Sequence, residues 1–137
     1  MLATAQSKNS LILSVTIIAT VALFFMKPIA QNPCYHLFAD QRTIFSIEHF
    51  WNVVSNVPFL IFGLIGIFFS INNNRKMNLP INSVTFYLGI FLTGIGSIYY
   101  HHQPCSETLV WDRLPMTISF MAFFTLIIGD YICIATG

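Results

Sequence analysis

Trp51-Asn52-Val53-Val54-Ser55-Asn56-Val57-Pro58-Phe59-Leu60-Ile61-Phe62-Gly63-Leu64-Ile65-Gly66-Ile67-Phe68-Phe69-Ser70-Ile71 runs for 21 residues without a charge. A helix rises 1.5 Å per residue and the hydrocarbon core of a bilayer is about 30 Å thick, so about 20 apolar residues cross it. This stretch therefore predicts a spanning helix, with Asn52, Ser55 and Asn56 in its first turns. Working outward, three more apolar runs emerge: Leu11 to Met26, Ser83 to Tyr100, and Leu114 to Ile134 with one acid, Asp130, near its far end. No strand alternation competes with them, and no fixed-period repeat points to a solenoid or propeller. The fold class predicted is all-α: a polytopic transmembrane bundle with about four spanning helices in this chain.

Composition agrees. Of 137 residues, 55% are hydrophobic and 8% charged, where a soluble domain carries about 25% charge. Six Lys and Arg against five Asp and Glu leave a net charge of +1, too little to hold a nucleic-acid backbone. Disorder is excluded by 14 Phe, 5 Tyr and 2 Trp with no biased tract. Cys34, Cys105 and Cys133 show no CxxC spacing; at most one pair could form, and single cysteines in polar connections are the favoured reading. The first run follows Lys8 and has a signal-peptide-like length, but Lys27-Pro28-Ile29-Ala30-Gln31 shows no small-x-small cleavage pattern, which favours a retained helix. Lys8, Arg75 and Lys76 would place the N-terminus, the 71–82 connection and the C-terminus inside, with Lys27, Arg42 and Arg113 outside.

Polar residues gather between the third and fourth runs: Ser97, Tyr99, Tyr100, His101, His102, then Glu107, Asp112 and Arg113. Ser97 and His101 are four apart, so a helix puts them on one face, in a stripe continued by Thr93 and Gly89. Such a stripe faces other helices, because hydrocarbon offers a hydroxyl or imidazole no hydrogen-bond partner. Asp112 reaches the same depth if His102 to Trp111 forms a tight reversal, which Pro104 favours. Imidazole, carboxylate and hydroxyl together suit zinc-assisted hydrolysis of an amide or ester. An alternative stays open on spacing alone. In it the histidines are interfacial residues beside a tyrosine belt, Ser97 bonds back to its own helix, and Asp112 caps a helix beginning at Leu114.

Gly96-Ser97-Ile98-Tyr99-Tyr100-His101 and Leu109-Val110-Trp111-Asp112-Arg113-Leu114-Pro115-Met116-Thr117-Ile118 together resemble the signature of the alkaline ceramidase family. Tyr35-His36-Leu37-Phe38-Ala39-Asp40-Gln41-Arg42 and Phe50-Trp51-Asn52-Val53-Val54-Ser55-Asn56-Val57-Pro58-Phe59 are similar to its bacterial-type members. The resemblance covers about residues 35 to 134 and reaches the wider superfamily of seven-helix membrane hydrolases that includes the adiponectin-receptor type. It implies two parts: residues 1–34, an N-terminal segment with an extra apolar helix, and residues 35–137, the N-terminal part of a ceramidase-like membrane domain.

The family builds a zinc amidase site from S-x-x-x-H on one helix, an Asp eleven residues after the His, and H-x-x-x-H on its last helix. The resemblance makes His101 a zinc ligand, Asp112 the group that deprotonates water and then protonates the leaving amine, and Ser97 the stabiliser of the oxyanion. The implied substrate is a ceramide-like N-acyl sphingoid lipid whose tails enter from the bilayer. No H-x-x-x-H occurs in these residues, so the expectation is the N-terminal part of a hydrolase or a shortened copy. His36 and His49 are expected to be solvated or capping rather than substitute ligands. His49 replaces a Glu of the eukaryotic calcium cluster, and Asp40 with Glu48 is a thin oxygen set, so no calcium is expected. Asp40 and Arg42 are expected to form a local ion pair. Asp130 is read as an interfacial acid about 27 Å from Asp112, outside the site. Two other functions compete: a catalytically inactive, receptor-like or partner-dependent bundle, and haem ligation by His36 and His49 on one helix, which the polar residues 39–42 disfavour.

Overall fold

The computed structural model describes residues 2–27, 31–73 and 79–129. Arg75, Lys76, Asp130 and Cys133, and with them the basic pair used for topology and the interfacial acid, lie outside the described residues. The chain divides into two units, Met1–Asn32 and Pro33–Gly137. The first holds α1, Leu2–Phe25, whose residues Leu13–Phe25 form a shorter apolar helix. Ser14 and Thr20 donate to the carbonyls of Ser10 and Thr16, each at 2.8 Å, so their hydroxyls need no partner outside the helix.

The second unit begins with a strap, residues 33–49, containing a 3₁₀ turn at Pro33–His36. Helices α2 (Phe50–Val54), α3 (Val57–Asn72), α4 (Pro80–His102) and α5 (Ser106–Ile128) follow. Every described element is helical apart from an isolated bridge between Ile44 and Ile47. Three helical segments are long and apolar enough to cross a membrane, Phe50–Asn72, Pro80–His102 and Ser106–Ile128; with the shorter apolar helix of the first unit they make the four expected. α4 is the common partner, packing on α5, α3 and α2.

The run expected as one helix is broken at Ser55 and Asn56. Pro58 is the cause: it brings no N–H to the Val54 carbonyl, and its ring clashes with that carbonyl in an unbroken helix. The break satisfies itself locally, since Ser55 Oγ and Asn56 Nδ2 donate to the Asn52 carbonyl at 2.9 and 2.7 Å.

The interior is inverted relative to a water-soluble protein. Its buried residues include Ser70, Ser83, Thr93, Ser97, Thr108 and Ser119, while Phe62, Phe68, Phe120 and Met121 point outward with 65–70% of their surface exposed. In water this arrangement would forfeit the hydrophobic effect; in a bilayer the large apolar faces meet lipid and small residues let the helices touch. The protein is therefore a membrane protein. The touching is close: a Cβ on Gly63 would stand 2.7 Å from the Phe91 backbone, and one on Gly96 would strike the Trp111 carbonyl oxygen.

That last contact has a local origin. Inside α5, Pro115 stands four residues after Trp111 and has no N–H to give it. The freed Trp111 carbonyl faces Gly96, whose hydrogen occupies the direction a Cβ would take, the arrangement of a Cα–H···O contact.

Candidate functional site

α5 begins at Ser106, eight residues before the expected start at Leu114. Thr108 makes the early start possible, because its hydroxyl accepts from the Cys105 N–H at 3.2 Å and donates to the Gln103 carbonyl at 2.6 Å. The reversal expected over His102 to Trp111 is therefore only Gln103, Pro104 and Cys105. Two alternatives fall with it. Asp112 lies in the second turn of α5, so it caps no helix; the cap position belongs to Cys105. Ser97 forms no bond back along its helix, although Thr93 does, donating to the Gly89 carbonyl at 2.8 Å.

The stripe read from spacing is real in its packing: Gly89, Thr93 and Ser97 are all buried in α4. Gly96 meets the backbone of Trp111 and Asp112, its Cβ position lying 3.1 Å from the Asp112 nitrogen. Asp112 is thereby set at the depth of Ser97. His101 lies one turn further on, half-buried, with Asp112 and His49 both within electrostatic range. Its Nδ1 is fully enclosed and has no hydrogen-bond partner among the described residues. Such a nitrogen carries a desolvation cost unless something binds it.

Sequence reasoning kept the strap histidines out of the site, and the structure brings them to its edge. His36 Nδ1 lies 3.0 Å from the Tyr100 hydroxyl and its Nε2 3.3 Å from Ser106 Oγ, tying the strap to α4 and α5. His49 Nδ1 lies 2.7 Å from the Asp40 carbonyl. Neither imidazole is merely solvated, and they share no helix, His36 closing the 3₁₀ turn and His49 preceding α2, so the haem arrangement is not formed. Phe38 lies between these groups, its ring 4.7 Å from His101, 5.1 Å from His49 and 5.5 Å from Tyr100. The Arg113 guanidinium sits 5.1 Å over the Tyr35 ring, a further tie to α5. The one sequence signal for this docking was the density of aromatic and imidazole residues over 35–38.

Asp40 holds the strap's other end. The expected ion pair is present, with Arg42 Nε 2.6 Å from Oδ1, and the Trp51 N–H donates to Oδ2 at 2.9 Å. His49, at the α2 cap position, provides no side-chain cap, so a carboxylate eleven residues upstream serves the open N–H of that helix. The Arg42 hydrogen bond, first, and the backbone N–H groups of Trp51 and Arg42 hold the Asp40 carboxyl below its ordinary range, against a smaller opposing effect of burial. Because the folded state lowers this pKa, its contribution is present above the ordinary carboxylate value and is lost as pH falls through the folded one. Asp40→Ala is expected to release the strap, read as several-fold faster tryptic cleavage after Arg42, whose side chain is 66% exposed. Cleavage at the wild-type rate would disprove this anchoring.

An apolar groove of about 300 Å³ lies along α3, α4 and α5, lined by Phe59, Phe86, Ile90, Thr93, Met116 and Phe120 among others. Thr93 places its upper end one turn from Ser97.

Inverted core, helices long and apolar enough to cross a bilayer, and a hydroxyl, imidazole and carboxylate at one end define a membrane protein with a candidate hydrolytic centre. The chain belongs to the Ceramidase family, whose model matches residues 40–132, about two thirds of its length. Membership carries the reaction class, hydrolysis of an amide bond, and a lipid substrate. No match was found among curated proteins, and none among solved structures. Ser97, His101, Asp112 and His49 all fall inside the matched span, which begins two residues after Phe38.

Proposed function

We propose that this protein crosses the membrane several times and hydrolyses the amide of ceramide-like N-acyl sphingoid lipids at the Ser97, His101 and Asp112 end of α4 and α5, with zinc as cofactor. The observation that carries the reading is the enclosed Nδ1 of His101, without a partner among the described residues and on a ring within electrostatic range of Asp112, inside the family-matched span. An enclosed imidazole nitrogen suits a metal ligand, and His101 is the residue that would hold zinc. Among the described residues no group of three His, Cys, Asp or Glu is placed to hold a metal, and the family resemblance assigns the other ligands to an H-x-x-x-H pair. When bound, zinc would polarise the amide carbonyl and lower the pKa of water.

The chain's own groups supply the rest. The acyl tail lies against the apolar groove, which leads the amide toward Ser97. Asp112 accepts a proton as the oxygen of water bonds to the acyl carbon, and Ser97, free of any bond to its own helix, donates to the developing oxyanion. As the C–N bond breaks, the proton held by Asp112 passes to the sphingoid nitrogen, giving fatty acid and free base. The experiment is fatty-acid release from ceramide by the purified protein in micelles. Activity should vanish with a chelator and return with zinc; turnover indifferent to chelation would remove zinc from the reading, and no release from ceramide or another N-acyl lipid would remove the reading itself.

A further inference from the structure

We propose that Phe38 of the strap is a positioning residue for the His101 imidazole, fixing the plane of the ring by aromatic contact where a hydrogen bond would ordinarily do so. This rests on the reading of His101 as a ligand. Metal-binding histidines are usually oriented by a hydrogen bond from the second ring nitrogen to a carboxylate, carbonyl or water. Among the described residues neither ring nitrogen of His101 makes a hydrogen bond, so whichever one holds the metal, the other lacks this orienting bond. Rotation of the ring about its Cβ–Cγ bond is therefore restrained by packing, and two rings provide it. Phe38 lies 4.7 Å away at an interplanar angle of 56°, and Tyr100 lies 5.3 Å away at 47°.

Of these, Phe38 is the one with independent support. It meets His49 and Tyr100 edge to face, at 89° and 88°, a favoured aromatic geometry. Its backbone carbonyl accepts from the Gln41 side-chain amide. Two residues before it, His36 is bonded to both α4 and α5; two residues after it, Asp40 is bonded to the N-terminus of α2. The strap is thus clamped on either side of the strap residue whose ring packs on His101. Having no polar atom in its side chain, Phe38 can neither bind metal nor move a proton, so its influence on the reaction passes through the imidazole.

The test uses the full chain in micelles, without added metal, with histidine selectively labelled in its ring carbons. Four histidines make the spectrum assignable through a His101→Gln variant. The His101 ring should be held as rigidly as its backbone, read from relaxation of its ring carbons, while the ring of exposed His102 is mobile; Phe38→Leu should loosen the His101 ring and Phe38→Tyr keep it rigid. Turnover of ceramide should follow: Phe38→Leu lowers kcat by about tenfold, the lower end for a ligand's supporting group, with KM within about twofold, and Phe38→Tyr restores it. A purely structural Phe38 would let leucine support full kcat or leave the His101 ring as rigid as in wild type, and either result overturns the proposal. A wild-type chain without turnover removes the hydrolase reading instead, and the ring-relaxation comparison still decides whether Phe38 restrains His101.

Discussion

Asp112→Asn should lower kcat for ceramide hydrolysis by roughly 10²- to 10⁴-fold, the usual contribution of a positioned acid–base group, while leaving KM and zinc content near wild type. The asparagine keeps the shape and the place of Asp112, set by the contact of its backbone with Gly96, and removes the proton-accepting oxygen. His101→Ala is expected to differ in kind, losing zinc and activity together, because it deletes the enclosed imidazole nitrogen that has no partner among the described residues. Ser97→Ala should retain zinc and cost about 10²- to 10³-fold in kcat, as removal of one oxyanion donor does elsewhere. Metal analysis and steady-state kinetics on the three variants separate the roles. Zinc retained in His101→Ala, or kcat unchanged in Asp112→Asn, would take those assignments down.

Gly96→Ala should be among the most damaging single substitutions in the second unit, destabilising it by about 1–3 kcal/mol, the range for overpacking a tight interior. The added methyl would collide with the Trp111 carbonyl, which is backbone and cannot swing aside. Gly66→Ala is the internal comparison: there the obstacle is the Tyr87 ring, a side chain with rotamers to choose from. Thermal unfolding in detergent should place Gly96→Ala clearly below Gly66→Ala. Equal midpoints would mean that α4 and α5 do not rely on this approach. Because the same contact sets the depth of Asp112, Gly96→Ala should also reduce turnover beyond its effect on the folded fraction.

Much of the frame was open to reading from residues. The uncharged runs marked the helices long and apolar enough to cross a bilayer, because bilayer thickness converts directly into residue count, and four-residue spacing put Gly89, Thr93 and Ser97 on one buried face. The ends were harder. Glu107, Asp112 and Arg113 read as a polar connection, whereas α5 starts at Ser106 and carries them on its first two turns. Apolarity measures what lipid tolerates, and a helix can extend past that limit when something like Thr108 closes its first turn. The break before α3 was signalled by Pro58, whose missing N–H applies in a membrane as in water. The docking of the strap was not legible, because the contact between His36 and Tyr100 joins residues 64 positions apart. No local pattern encodes such a pairing, and an unpartnered Nδ1 on His101 can be recognised only once its surroundings are assembled.

The three-residue turn between α4 and α5 bears on how the protein is made. Gln103, Pro104 and Cys105 are too few to let one helix settle in the bilayer while the other waits at a distance, so the pair should leave the insertion machinery as a single hairpin. Thr93 enters with its hydroxyl already bonded to Gly89, and Ser97 and Ser119 are covered by the neighbouring helix instead of acyl chains. These buried hydroxyls then never have to be solvated by lipid on their own. Lengthening this turn with flexible residues would uncouple the two insertions and expose these hydroxyls during biogenesis, before any substrate is met.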